Sequence, residues 1–126
     1  MTRRSTTRVV VVDDEPDVRL LLGLQLRAAG LDVVGEAGDG AAALEVCEQQ
    51  RPDVVVFDIL MPGMSGFAAI PALQEALPGT GIVAYTSIAG DYVREEMARL
   101  GVPLVVKAGD PQPLIDAIQG TVSRPT

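Results

Sequence analysis

Histidine is absent from this 126-residue chain, cysteine occurs once, and no apolar run approaches membrane-spanning length. The single Cys47 cannot form an internal disulfide, which favours a protein of the reducing cytoplasm. The net charge of −7 leaves little basic surface, which argues against direct binding of nucleic acid or of an anionic membrane by this domain. The negative charge does not exclude protein partners with basic or apolar surfaces.

The length is that of one domain with its own core. We assign residues 8–122 to that domain, residues 1–7 to a frayed N-terminal tail and residues 123–126 to a C-terminal tail. The segment of residues 1–7 is too short and too polar to be a signal peptide.

Four apolar runs each end at a reactive polar residue, and this is the strongest pattern in the chain. The runs are Arg8–Val12, Val54–Phe57, Gly81–Tyr85 and Leu104–Val106, and the polar residues after them are Asp13 with Asp14, Asp58, Thr86 and Lys107. Short runs rich in β-branched residues are typical of buried parallel strands. A further short strand around Val33 and helical stretches between the runs predict five strands alternating with five helices, a three-layer α/β sandwich.

The polar residues after the strands should lie together, because open parallel sheets bind ligands beyond the carboxyl ends of their strands. Three carboxylates in one pocket repel each other, by roughly 4 kcal/mol for each pair about 4 Å apart at an effective dielectric constant near 20. Such a cluster must take up protons or bind a cation. Oxygen ligands in a chain without histidine favour Mg²⁺, or Mn²⁺, over zinc.

The same residues suit phosphoryl transfer, which needs mainly positioning and charge stabilisation. Asp58 could attack phosphorus, Lys107 could contact one phosphoryl oxygen, and Thr86 could donate to another. The chain has no nucleotide-binding loop, so the phosphoryl donor should be another protein or a small phosphate compound. Each residue alone has a plainer explanation, such as a helix cap for Asp13 or Asp14 and a strand residue for Thr86.

The chain resembles the response-regulator receiver domains of bacterial two-component signalling over nearly its whole length. The matching segments are Val11–Pro16, Asp58–Gly66, Tyr85–Ser87 and Val105–Lys107, in this order. The resemblance implies a flavodoxin-like, doubly wound fold with strand order 2-1-3-4-5, like that of the chemotaxis regulators.

For individual residues, the resemblance implies that Asp58 is the phosphoacceptor and that Asp13, Asp14, Asp58 and the Leu60 carbonyl hold Mg²⁺. It further implies that Lys107 contacts the phosphoryl group, and that the Thr86 hydroxyl moves towards it and reshapes the face formed by the fourth helix, fifth strand and fifth helix. The implied partners are a sensor histidine kinase or phosphotransfer protein, and a downstream protein target or a C-terminal output domain missing here.

The chain departs from the family pattern at two positions near the site. Leu104 replaces an aromatic residue that many receivers carry three positions before the lysine, so we expect an altered switch at the fourth helix. Leu60 cannot orient an attacking water, so we expect slow autodephosphorylation. Leu60 also stands where aspartyl-phosphate hydrolases carry an acid/base aspartate. This difference argues against a hydrolase that works through an aspartyl-phosphate intermediate. The alternative is a pseudo-receiver that binds proteins without being phosphorylated.

Three structural expectations concern the helices. Pro71 should delay or kink the third helix, and the last helix should run from about Asp110 to Ile118. The first helix carries Leu20, Leu21 and Leu24 beside its core stripe, a surplus that suggests a homodimer or partner surface shared with the fifth helix.

Overall fold

Five strands and five helices alternate along the chain in this computed structural model, which describes residues 6–59 and 66–122. The strands are β1 (Arg8–Val12), β2 (Asp32–Ala37), β3 (Val54–Phe57), β4 (Gly81–Thr86) and β5 (Leu104–Val106). The helices are α1 (Pro16–Ala28), α2 (Gly40–Gln50), α3 (Gly66–Ala76), α4 (Asp91–Leu100) and α5 (Gln112–Val122). The predicted three-layer α/β sandwich is confirmed.

The strands form one parallel sheet in the order β2-β1-β3-β4-β5, as the resemblance implied. In the pairing of β1 with β3, Val12 lies opposite Phe57, so both strands reach the same level at their carboxyl ends. The residues that follow these two strands are therefore neighbours. The register of β1 and β3 therefore brings Asp13 and Asp58 side by side at the carboxyl ends of the strands.

Each face of the sheet has its own apolar core. Val10, Val12 and Phe57 pack with α2, α3 and α4, whereas Val9 and Val11 pack with α1 and α5. Because both faces are covered, β3 and the part of β1 after Arg8 are apolar at every position rather than at alternate ones. The polar residues after these strands consequently mark the strand ends.

The helix boundaries agree with the sequence at α4 and differ at α5, and α3 lacks the delayed start that Pro71 suggested. α3 begins at Gly66, so Pro71 lies inside the helix and does not delay it. The buried residues Ile70 and Leu73 on either side of Pro71 anchor the helix to the sheet. In the described part of the chain, no helix is both long and apolar enough to cross a membrane.

α5 begins at Gln112 rather than Asp110 and continues past Ile118 to Val122. Asp110 lies before the helix because its carboxylate accepts a hydrogen bond from the Gln112 N–H at 3.0 Å. At the far end, the Thr121 hydroxyl donates to the Ala117 carbonyl, within the helical segment that the sequence pattern missed.

Candidate functional site

Two aspartates are fixed at the carboxyl end of the sheet by backbone hydrogen bonds. The Asp13 N–H donates to the Ala37 carbonyl at 3.1 Å, and the Asp58 N–H donates to the Val12 carbonyl at 2.9 Å. Each aspartate thus extends the ladder by one residue beyond its strand. Asp13 and Asp58 are buried, whereas the neighbouring Asp14 is exposed.

The three aspartates form one cluster, as predicted. A carboxylate oxygen from each of Asp13, Asp14 and Asp58 lies within 4.8 Å of the others. Hard oxygen donors at this spacing fit a small divalent cation such as Mg²⁺ or Mn²⁺. Leu60, whose carbonyl was the fourth predicted ligand, lies outside the described residues.

Lys107 brings a positive charge to this cluster. Its Nζ lies 2.7 Å from Oδ2 of Asp13 and 3.4 Å from Oδ2 of Asp58. Burial lowers the pKa of the Lys107 ammonium, but the hydrogen bond to Asp13 and the charge of Asp58 raise it by more, so the net shift is upward. Lys107 therefore stays protonated at neutral pH. Its backbone N–H donates to the Thr86 carbonyl at 2.8 Å, which ties the end of β5 to the end of β4.

Asp13 is held by two further contacts. Its Oδ1 accepts a hydrogen bond from the Glu15 N–H at 2.9 Å, which leaves Oδ2 facing Lys107. Arg19 donates to the Asp13 carbonyl and pairs with Glu36 at 3.3 Å. The first contact is a local Asx turn, which an aspartate before a helix commonly forms. The second does not follow from a local motif, because Arg19 of α1 joins the end of β1 to β2.

Thr86 is fully buried at the end of β4, next to Lys107, which follows β5 and whose N–H donates to the Thr86 carbonyl. Its hydroxyl donates to the Ile88 carbonyl at 3.2 Å, and its Oγ1 accepts from the Ile88 N–H at 3.3 Å. The predicted switch hydroxyl is therefore bonded to the loop that leads to α4. Leu104, paired with Ala84 across β4 and β5, packs at the edge of the core beneath α3 and α4.

Tyr85 lies on the opposite face of β4 from Ala84, in the core beneath α1 and α5, because side chains alternate along a strand. The Lys107 Nζ lies 5.6 Å from the centroid of its ring. Sequence reasoning missed this contact. A signal for it existed, because Tyr85 pairs with Val105 and Lys107 comes two residues later, on the same face.

The family model for the response regulator receiver domain matches residues 9–119, almost the entire described chain. The chain belongs to this family. Its order of strands and its cluster of aspartates at the carboxyl edge of the sheet are those expected of a receiver domain.

Two curated relatives differ in the share of their own length that matches this chain. The chain is 38% identical over 114 residues to an uncharacterized transcriptional regulatory protein, YxjL, of Bacillus subtilis, covering 89% of the chain and 52% of that protein. It is 31% identical over 112 residues to the chemotaxis protein CheY of Thermotoga maritima, covering 88% of the chain and 93% of CheY. The chain spans about half the length of the transcriptional relative.

A solved structure shares the fold at low identity. It is the complex of CheX with CheY, BeF₃ and Mg²⁺ from Borrelia burgdorferi, with a TM-score of 0.87 and 19% identity. The match covers 94% of this chain and 90% of that one, and at this identity it shows the fold alone.

Proposed function

We propose that this receiver accepts a phosphoryl group on Asp58 and thereby switches a protein-interaction surface. The observation that carries the proposal is the position of the Asp58 carboxylate, inside the three-carboxylate cluster and 3.4 Å from the only lysine of the chain. A sensor histidine kinase or a phosphotransfer protein is the proposed donor, since the chain has no nucleotide-binding loop of its own.

In the proposed step, a carboxylate oxygen of Asp58 attacks phosphorus as the bond between phosphorus and the donor's imidazole nitrogen breaks. Asp13, Asp14, Asp58 and the Leu60 carbonyl would hold Mg²⁺ or Mn²⁺. When bound, the cation supplies positive charge that offsets carboxylate repulsion and stabilises the phosphoryl oxygens. Lys107, already protonated beside Asp58, would contact another of those oxygens.

The Thr86 hydroxyl is the proposed link to the surface. If it turns towards a phosphoryl oxygen, both hydrogen bonds to Ile88 break and the loop before α4 is released. Exposed apolar residues lie near this loop and on β5, namely Ile88, Tyr92 and Val106. We propose that they contact the downstream target or an output domain. Because Leu104 provides no ring to follow Thr86, we expect the response of α4 to be altered from the family pattern.

Several finer features are part of the same proposal. The receiver would act in the cytoplasm, with residues 8–122 as the folded unit, and it would lose its phosphoryl group slowly because of Leu60. On α1, Leu20, Leu21 and Leu24 are each more than half exposed. This apolar strip supports the proposed partner or homodimer surface near α5.

The test is the intact mass of the protein after incubation with acetyl phosphate and Mg²⁺. Wild type should gain one phosphoryl group, and Asp58→Asn should gain none. Asp53→Asn is the matched control. Asp53 precedes β3, the strand that Asp58 follows, and its carboxylate accepts a hydrogen bond from the Arg8 N–H at the amino ends of the strands, away from the cluster. That variant should be labelled like wild type, and chelation of Mg²⁺ should abolish labelling.

Labelling that persists in Asp58→Asn would refute Asp58 as the acceptor. If acetyl phosphate labels nothing, a purified histidine phosphotransfer protein charged with radioactive phosphate is the second donor. Failure with both donors would favour the alternative, a pseudo-receiver that binds its partners without phosphorylation.

A further inference from the structure

We infer that Tyr85 is a positioning residue for Lys107. The aromatic ring of Tyr85 holds the Lys107 ammonium at the rim of the aspartate cluster. The inference rests on the proposed function for its catalytic consequence, but the contact itself can be tested without phosphorylation. An ammonium within about 6 Å of an aromatic centroid is attracted by the negative face of the ring. The distance from Lys107 Nζ to the Tyr85 centroid is 5.6 Å.

The Tyr85 ring is a fixed platform. Only 8% of the residue is exposed, and it packs into the core beneath α1 and α5. The base of the Lys107 side chain is fixed as well, through the pairing of β4 with β5 and the hydrogen bond from its N–H to the Thr86 carbonyl. Only the four-carbon stem of the lysine is left to be oriented.

The ring matters because the other partners of the ammonium change during function. In this structure Nζ is 2.7 Å from Oδ2 of Asp13, which is also a proposed ligand of the cation. A divalent cation held by the cluster would compete with Lys107 for the charge of Asp13 and would weaken that ion pair. The attraction to the ring does not depend on the charge of Asp13. Tyr85 therefore keeps the ammonium near Asp58 when Asp13 is engaged elsewhere.

Because Lys107 is the only lysine, its side-chain NMR signals need no separation from others. In wild type, the ε-methylene protons should lie upfield of their position in free lysine, since they are near the face of a ring. Tyr85→Phe retains the ring and should retain the upfield shift, with and without Mg²⁺. Tyr85→Leu replaces the ring with a smaller apolar side chain and should lose the shift.

Phosphorylation by acetyl phosphate gives the functional readout. Tyr85→Phe should be labelled at the wild-type rate, whereas Tyr85→Leu should be labelled roughly fivefold more slowly, equivalent to about 1 kcal/mol. If Tyr85→Leu does not fold, Tyr85→Met replaces it with a flexible apolar side chain. A general packing defect would be visible as a lowered midpoint of urea unfolding, and Tyr85→Phe separates the ring from the hydroxyl.

Three results would overturn the inference. The first is a wild-type lysine signal at the position of free lysine, and the second is an upfield shift that survives in Tyr85→Leu or Tyr85→Met. The third is a loss of rate in Tyr85→Phe as large as that in Tyr85→Leu. If wild type is never phosphorylated, the proposed function fails, but the NMR comparison still decides whether the ring positions Lys107.

Discussion

Replacing Lys107 with methionine should destabilise the metal-free protein, because the variant leaves Asp13 and Asp58 buried without their cation. A hydrogen bond to a charged group contributes about 1.5–3 kcal/mol, and breaking a buried ion pair costs about 3–5 kcal/mol. The Lys107 side chain is 21% exposed, so water can replace part of the lost interaction. We therefore expect the free energy of unfolding to fall by about 2–3 kcal/mol.

Mg²⁺ should reduce this loss of stability to less than half, because a cation at the three carboxylates replaces the missing positive charge.

The stabilising effect of Lys107 also depends on pH. Its pKa in the folded protein is raised from 10.5, so the advantage of wild type should be complete at neutral pH and should fall as the pH rises above 10.5.

The assay is urea unfolding followed by circular dichroism, for both proteins with Mg²⁺ and with a chelator. Arg99→Met is the matched control, because Arg99 pairs with Glu96 on the exposed surface of α4. It should change stability little, and equally with and without Mg²⁺. The reasoning is refuted if Lys107→Met is as stable as wild type without Mg²⁺, or if its loss is the same in both conditions.

Three further predictions concern the core and the switch. Burial raises the pKa of the Cys47 thiol from 9.0 to about 11, so wild type should lose about 2 kcal/mol more than Cys47→Ala between pH 9 and 11, measured by urea unfolding. Equal losses would contradict this. In Gly81→Ala the new methyl group would lie 2.3 Å from Cγ2 of Thr121, which should cost about 1–3 kcal/mol, and adding Thr121→Ser should restore most of it. No rescue would mean that another contact is responsible. Thr86→Val should retain phosphorylation by acetyl phosphate but lose the phosphorylation-dependent NMR shift of the Ile88 amide, whereas an unchanged shift would remove Thr86 from the switch.

The differences between expectation and structure have local causes. The bounds of α4 were predictable because Gly101 adopts a left-handed conformation that ends a helix. The start of α5 was not, because the side chain of Asp110 bonds to the Gln112 N–H and holds the residue outside the helix. Pro71 suggested a late start or a kink for α3. The late start does not occur, because burial of Ile70 and Leu73 outweighs one missing backbone hydrogen bond.

Within the site, the sequence determined which groups would meet. Buried parallel strands must be apolar, so the first polar residue after each strand marks the functional edge, and Asp13, Asp58 and Lys107 could be named on that basis.

Only the tertiary structure decided how those groups are arranged. The choice of Asp13 over Asp14 as the close partner of Lys107, the bonds of Thr86 to the loop, and the ring of Tyr85 beside the ammonium all depend on the register and spacing of β4 and β5 against β1 and β3. Periodicity along the chain shows on which face a side chain lies. It does not contain the distances between strands that are far apart in sequence, and these distances set the strength of each contact.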